Sequence, residues 1–148
     1  MKITSMPSIW DSDKNARYSV LLWHRLARIH KNNTTGSNQI LKNWDLSNAQ
    51  MDLISRIAEA GQLSQQELAD KLLVTKGNIT QLLKKLETME LIKKERDWKI
   101  KYISLTEKGQ SLYDEVRPEL EEYQKAYFQK LSLDEKRQLL TLLRKLEG

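Results

Sequence analysis

Apolar residues recur at helical spacing through most of the chain. From Asp13 to about His30, Tyr18, Leu22, Leu26 and Ile29 fall three or four residues apart, and Val20, Leu21 and Trp23 widen the stripe to more than one face. A helix with two apolar sides needs two neighbours. The stretch KNNTTGSN, residues 31–38, is poor in helix formers and reads by propensity as a loop, after which QILKNWDLS regains apolar character. Ser47 with Gln50 three residues on predicts a capping box, Met51, Ile54, Ile57 and Ala58 share one face, and Gly61 suits a C-terminal cap.

The segment from Leu63 to Leu91 is the most informative. Ser64 and Glu67 predict a second capping box with Leu63 as the apolar residue before the cap, so a helix starts here and runs to about Leu72. Thr75 is the next capping candidate, leaving only Leu73 and Val74 as the connection. Two helices joined this tightly, the first turning Leu68, Ala69 and Leu72 inward, predict a helix-turn-helix. On its second helix Ile79, Leu82, Leu83 and Leu86 lie within about 100° of one another. The opposite face carries Gly77, Thr80, Gln81, Lys84, Lys85 and Thr88. Lysines neutralise phosphates, Asn78 and Gln81 have paired donors and acceptors for base edges, and Gly77 lets the backbone approach closely. The same pattern also describes an ordinary solvated helix face.

The residues that follow, to Thr106, discriminate between the two. LIKKE (91–95) and KYISLT (101–106) show partial apolar alternation and predict a two-stranded hairpin, which makes the unit a winged helix. Between Thr75 and Lys101 stand eight basic residues, Lys76, Lys84, Lys85, Lys93, Lys94, Arg96, Lys99 and Lys101, against four acids, Glu87, Glu90, Glu95 and Asp97. The net charge of the whole chain is +5 and its pI about 9.3. Four of those charges thus sit where a DNA footprint is expected.

After the hairpin, Thr106 predicts a cap. Leu112, Val116, Leu120, Tyr123, Tyr127 and Leu131 then form a long stripe, with Tyr113 and Phe128 beside it and Pro118 expected to kink the helix. Ser132 and Glu135 predict a third capping box, and Leu139, Leu140, Leu143 and Leu146 give the last helix a coiled-coil-like seam. Apolar stripes lying outside a compact winged helix call for a partner.

Composition excludes several classes. With no cysteine, disulfide scaffolds, thiolate metal sites and thiol redox sensing are out. His24 and His30, six residues apart, lack the spacing of a local metal pair, and no phosphate loop or nucleophile-base motif is present, so no catalytic residue, metal or cofactor is expected. Asp11 and Asp13 read as helix-start residues. No segment reads as a signal peptide or membrane span, and the expected location is the cytoplasm.

The sequence resembles the MarR family of bacterial winged-helix transcription regulators over nearly its whole length. LSNAQMDLISRIAEAG, LSQQELADKLLVTKGNITQLLKKLETMELI and ISLTEKGQSL fall in order at the family's spacing, and the leucine, threonine and glycine of LTEKG make the combination specific. The resemblance implies a mainly α fold: a winged helix-turn-helix lobe over 47–106, and dimerisation helices over 13–46 and 107–148, in one domain spanning 1–148. It implies an obligate homodimer on a pseudo-palindromic operator, acting as a repressor. The second helix of the motif would enter the major groove and the wing the adjacent minor groove. Asp97 and Lys99 fall on the family's wing acid and arginine. The DNA-binding set is then Ser64, Thr75, Lys76, Gly77, Asn78, Thr80, Gln81, Lys84, Lys85, Lys94, Arg96, Asp97 and Lys99. A small-molecule effector pocket lined from the first, second and fifth helices is also implied, with Trp23, His24 and Tyr113 as its candidates. The first helix is expected to continue through residues 31–38.

Four features depart from the family pattern: a shorter wing, Lys99 for the arginine, Gln81 where arginine is common, and Glu90 where glycine usually ends the recognition helix. They keep open an alternative, a winged-helix protein-interaction module with little operator binding. Trp98, an indole among charges, is the least explained residue, with three readings open: packing against the sugar face of a duplex, covering the hairpin in the free protein, or stacking on Arg96.

Overall fold

The computed structural model describes residues 13–72 and 76–148, with side chains at 76 and 77 outside that description. Thr75 and the connecting Leu73 and Val74 therefore lie outside the described residues. The described residues up to Gly36 form one compact unit and those from Ser37 to Gly148 a second.

Helix α1 runs unbroken from Lys14 to Leu41, so residues 31–38 are helical, as expected against their propensity. The Asp13 carboxylate accepts from the Ala16 amide at 3.1 Å at its start. Within the polar stretch the Thr34 hydroxyl donates to the His30 carbonyl, and the Thr35 hydroxyl to the Lys31 carbonyl at 2.9 Å. These hydroxyls bond back to the preceding turn instead of competing with the helix. The last turn is tied to the start of the next helix: Ser37 Oγ donates to Asn48 Oδ1 at 2.7 Å, and the Asn48 amide donates to Asn38 Oδ1 at 3.0 Å. Between them a 3₁₀ turn, Lys42–Trp44, brings Leu41 and Leu46 into the core.

Helix α2 spans Asn48–Ala60, and its predicted capping box is present in both directions, Ser47 N to Gln50 Oε1 at 2.9 Å and Gln50 N to Ser47 Oγ at 3.2 Å. Met51, Ile54 and Ile57 are buried as the pattern required; Leu53 is buried as well. Gly61 closes the helix at φ 83°, a left-handed conformation that strains other residues.

The sheet corrects the two-stranded expectation. A short strand β1, Leu63–Ser64, pairs antiparallel with β3 (Ile100–Leu105), which also pairs with β2 (Ile92–Asp97), in the order β1-β3-β2. Leu63 is opposite Ile103 and Ser64 opposite Tyr102. A two-residue strand shows no alternation, and its partner lies forty residues on, so local pattern could not reveal it. The strands of the hairpin also run further than expected. Asp97 pairs with Ile100, leaving Trp98 and Lys99 as a two-residue turn.

Helix α3, Gln65–Leu72, begins at the second capping box, Ser64 N to Glu67 Oε1 and Glu67 N to Ser64 Oγ, both 3.1 Å. Helix α4, Lys76–Thr88, packs Ile79, Leu83 and Leu86 at zero exposure beside Leu68 of α3 in one continuous core. Fully burying one such side chain contributes about 1.5–3 kcal/mol. Helix α5, Glu107–Tyr127, sends Tyr113 and Val116 into that core, with Leu112 and Leu120 half-buried against it. Tyr113, expected beside the stripe, is therefore one of its buried members, and Pro118 lies within the helix. Helix α6, Leu133–Glu147, starts at the third capping box but buries no residue.

Candidate nucleic-acid interface

Helix α4 is held so that one face points outward. Its apolar side is locked in the core, while Asn78, Thr80, Gln81, Lys84, Lys85 and Thr88 are exposed. Gln65 Nε2 donates to Thr80 Oγ1 at 3.0 Å, fixing α3 against α4 through a residue of the candidate face. Lys76 and Gly77 lie in the first turn of α4. Asn78, Gln81 and Lys85 line one wall of a cavity of about 500 Å³, whose other wall includes Lys42, Ser47 and the buried Gln50. Lys42 was not among the sequence candidates; its position beside α4 depends on the 3₁₀ turn, which carries no local signature.

Ser64 is half-buried, and its hydroxyl is engaged as the α3 cap, so within the candidate set it positions α3. The same box holds the Glu67 carboxyl below the usual carboxylate range, first through the Ser64 backbone hydrogen bond, then through the Ser64 hydroxyl.

The end of α4 and the root of the wing meet at one junction. Glu90 adopts a left-handed conformation, φ 62°, at the place where the chain leaves the helix. Thr106 Oγ1 donates to the Glu90 carbonyl at 2.6 Å and accepts from the Gly109 amide at 3.0 Å, while the Thr106 amide donates to the Leu91 carbonyl at 3.0 Å. Lys108 Nζ reaches the Met89 carbonyl at 3.1 Å. Gly109 sits so close that a Cβ there would stand 2.0 Å from the Leu91 carbonyl oxygen. LTEKG is thus a physical clamp: cap, hydroxyl donor and absent side chain together set the end of α4 against the start of α5.

The wing beyond the clamp is charged. Lys94 pairs with Glu87 at 3.6 Å and Lys93 with Glu95 at 3.5 Å. Arg96 and Lys101 are direct cross-strand partners, a pair of like charges that opposes hairpin formation in isolation. Among the described residues neither has an ion-pair partner, nor has Asp97. Lys99 Nζ lies 5.6 Å from the centroid of the Trp98 ring, and Trp98 is 84% exposed.

The effector candidates separate. Tyr113 is buried, with Arg117 5.9 Å from its ring centroid and Arg117 paired to Glu121 at 3.2 Å. The Arg117 guanidinium is held above its ordinary pKa, chiefly by the Tyr113 hydroxyl and then by Glu121. Tyr113 and Arg117 line a cavity of about 460 Å³ with Met51, Ser55, Leu120 and Gln124. Trp23 and His24 are exposed on α1, Trp23 by 67%.

Residues 46–98, which include α2, the helix-turn-helix and β2, match the model of the MarR family. An HTH-type transcriptional regulator of Bacillus cereus, itself uncharacterized, is 38% identical over 120 residues, 81% of this chain and 82% of that protein. The chain belongs to the MarR family. Among solved structures, a cysteine-to-serine mutant of E. coli MarR complexed with operator DNA superposes with a TM-score of 0.81 at 20% identity, over 88% of this chain and 96% of that one. BpsR of Bordetella bronchiseptica, whose DNA binding is regulated by 6-hydroxynicotinic acid, gives a TM-score of 0.77 at 20% identity, over 84% and 91%. The mainly helical winged helix-turn-helix is therefore the shared MarR fold. The chain is a transcriptional regulator of that family, and α4 is the second helix of its helix-turn-helix. No described helix is long and apolar enough to cross a membrane, and no group of three or more His, Asp or Glu among the described residues is placed to hold a metal ion.

Proposed function

We propose that this MarR-family regulator works as a homodimer that binds a pseudo-palindromic operator as a repressor, with no catalytic step of its own. The observation that carries the reading is the presence of two outward surfaces on one clamped lobe. The α4 face offers Asn78 and Gln81 for base edges, with Lys84 and Lys85 for phosphates, and the wing holds Arg96 and Lys101 side by side without counter-charges. Two adjacent uncompensated cations cost stability unless a polyanion sits over them. Lys76, Gly77, Lys94 and Lys99 extend this footprint, Thr75 and Thr80 flank it, and Asp97 stands at its wing end. Lys42, across the groove from Lys85, adds a further phosphate contact.

Dimerisation is supported by apolar surface that a single copy leaves in water. On α6, Leu133, Leu140, Leu142 and Leu146 are 53–74% exposed, and on α1 Tyr18, Leu22 and Trp23 are 60–67% exposed. Both helices belong to the terminal segments, 13–46 and 107–148, that would form the dimer body around lobe 47–106. An apolar area of this kind marks an interface. A small-molecule effector would act at the Tyr113 and Arg117 cavity, Trp23 and His24 being the further candidates on α1; BpsR, whose DNA binding is regulated by 6-hydroxynicotinic acid, supports an effector.

Nuclease protection of the bound fragment tests the proposal. A dimer with two recognition helices protects two half-sites about one helical turn apart, centre to centre. Protection of a single half-site rejects the symmetric dimer on DNA. The alternative, a protein-interaction module, is favoured by Gln81 and Lys99 standing in place of the family's arginines; it predicts no protection at any site.

A further inference from the structure

The wing tip is built in a way that stability alone does not explain. In the two-residue turn between Asp97 and Ile100, only the first residue, Trp98, has a positive φ, 60°. A two-residue hairpin loop with positive φ at its first position prefers glycine there, because a side chain crowds its own backbone. Here the position holds the largest side chain available, and it is 84% exposed, so it gains no burial in return. Ile100 beside it is 49% exposed, giving the tip a small apolar surface. That surface is framed by cations: the hairpin from Ile92 to Leu105 carries Lys93, Lys94, Arg96, Lys99 and Lys101 against Glu95 and Asp97, a balance of five minus two, or +3. Strain and exposure retained together at one residue point to a contact made outside the protein.

Resting on the operator-binding reading above, we infer that Trp98 is a DNA contact residue. Its indole lies against the deoxyribose edges of the minor groove, beside Lys99, whose ammonium, 5.6 Å from the ring centroid, reaches the phosphates on its own stem. The partner is double-stranded DNA because the cations around the ring need a polyanion, and because only the narrow tip of a hairpin, not its full width, fits a groove about 6 Å wide. The shortened wing thus replaces the reach of an arginine with the breadth of an indole.

The test uses the full-length protein and a genomic fragment that the wild type binds better than bulk DNA. W98G is expected to raise the unfolding temperature by about 2–4 °C, by releasing the strained turn, and to weaken fragment binding about tenfold, the scale of one lost aromatic contact. The dependence of binding on salt stays unchanged, since an indole releases no counterions. W98F, which keeps ring and strain, binds within about threefold of wild type. Opposite signs on stability and binding are the signature. If W98G binds DNA as tightly as wild type, or if its salt slope falls by about 1, the indole makes no such contact. If W98G is no more stable, the strain was not being retained for function. Loss of binding to anionic lipid vesicles with DNA affinity intact would assign the tip to a membrane surface instead. A wild type that prefers no fragment overturns the regulator reading itself, a result separable from each of these.

Discussion

The root and the tip of the wing lie a few residues apart and obey opposite rules. At the root, Thr106, Gly109, Glu90 and Leu91 are joined by hydrogen bonds of 2.6–3.0 Å, Leu91 is 2% exposed, and no space remains for a methyl group at Gly109. At the tip, Trp98, Lys99 and Ile100 are in water, and the like-charged pair Arg96 and Lys101 lies one step behind them. The difference assigns roles. The root fixes where α4 and the hairpin stand relative to each other, so its residues should move stability. The tip has nothing to stabilise, so its residues should move binding.

The largest expected effect is at Gly109. G109A places a Cβ against backbone that cannot move aside, and should lower stability by about 3 kcal/mol or more, or roughly 6–12 °C in thermal unfolding. A variant as stable as wild type would show that the root is not rigid. Next is T106A, which removes the α5 cap together with the hydrogen bond to Glu90; a loss of about 1–2 kcal/mol in denaturant unfolding is expected. E90G should act in the opposite direction. Its φ of 62° suits glycine, so a gain of about 0.5–1 kcal/mol is expected, with operator affinity unchanged. The smallest effect on stability is at the tip: K99A should leave unfolding within about 0.5 kcal/mol of wild type while weakening DNA binding and lowering the salt slope by about 1. A K99A protein that loses stability and keeps its DNA affinity would erase the contrast between root and tip.

Much of the fold was legible in the sequence, and for a physical reason. Capping boxes are i, i+3 contacts, so Ser47/Gln50, Ser64/Glu67 and Ser132/Glu135 declare themselves locally, and all three are formed. The buried face of α4 was legible because Ile79, Leu83 and Leu86 repeat at the helical period. The joint between Thr106 and Glu90 was not, because it links residues sixteen apart through a carbonyl and a missing Cβ; LTEKG pointed to it only by resemblance. Strand β1 escaped for the same reason, as pairing to Ile103 leaves no mark on two residues. The run from Lys31 to Asn38 was misleading by propensity, and hydroxyl back-bonding within α1 shows how it is accommodated. Trp98 was visible as an oddity, but its strain required backbone angles.

The candidate site divides similarly. The α4 lysines and amides were read from helical phase, and the structure exposes Asn78, Gln81, Lys84 and Lys85 on one side. The like-charge pairing of Arg96 with Lys101, and the approach of Lys42 to the α4 groove, depend on register and on a 3₁₀ turn, which no count of charges conveys.

The central claim is operator recognition by this clamped lobe, and one titration tests it most directly. The purified protein is added to genomic fragments that include its own promoter, at two salt concentrations. Operator recognition predicts at least one fragment bound far more tightly than bulk DNA, by about a thousandfold or more, with affinity falling steeply as salt rises. Equal binding to every fragment would contradict it.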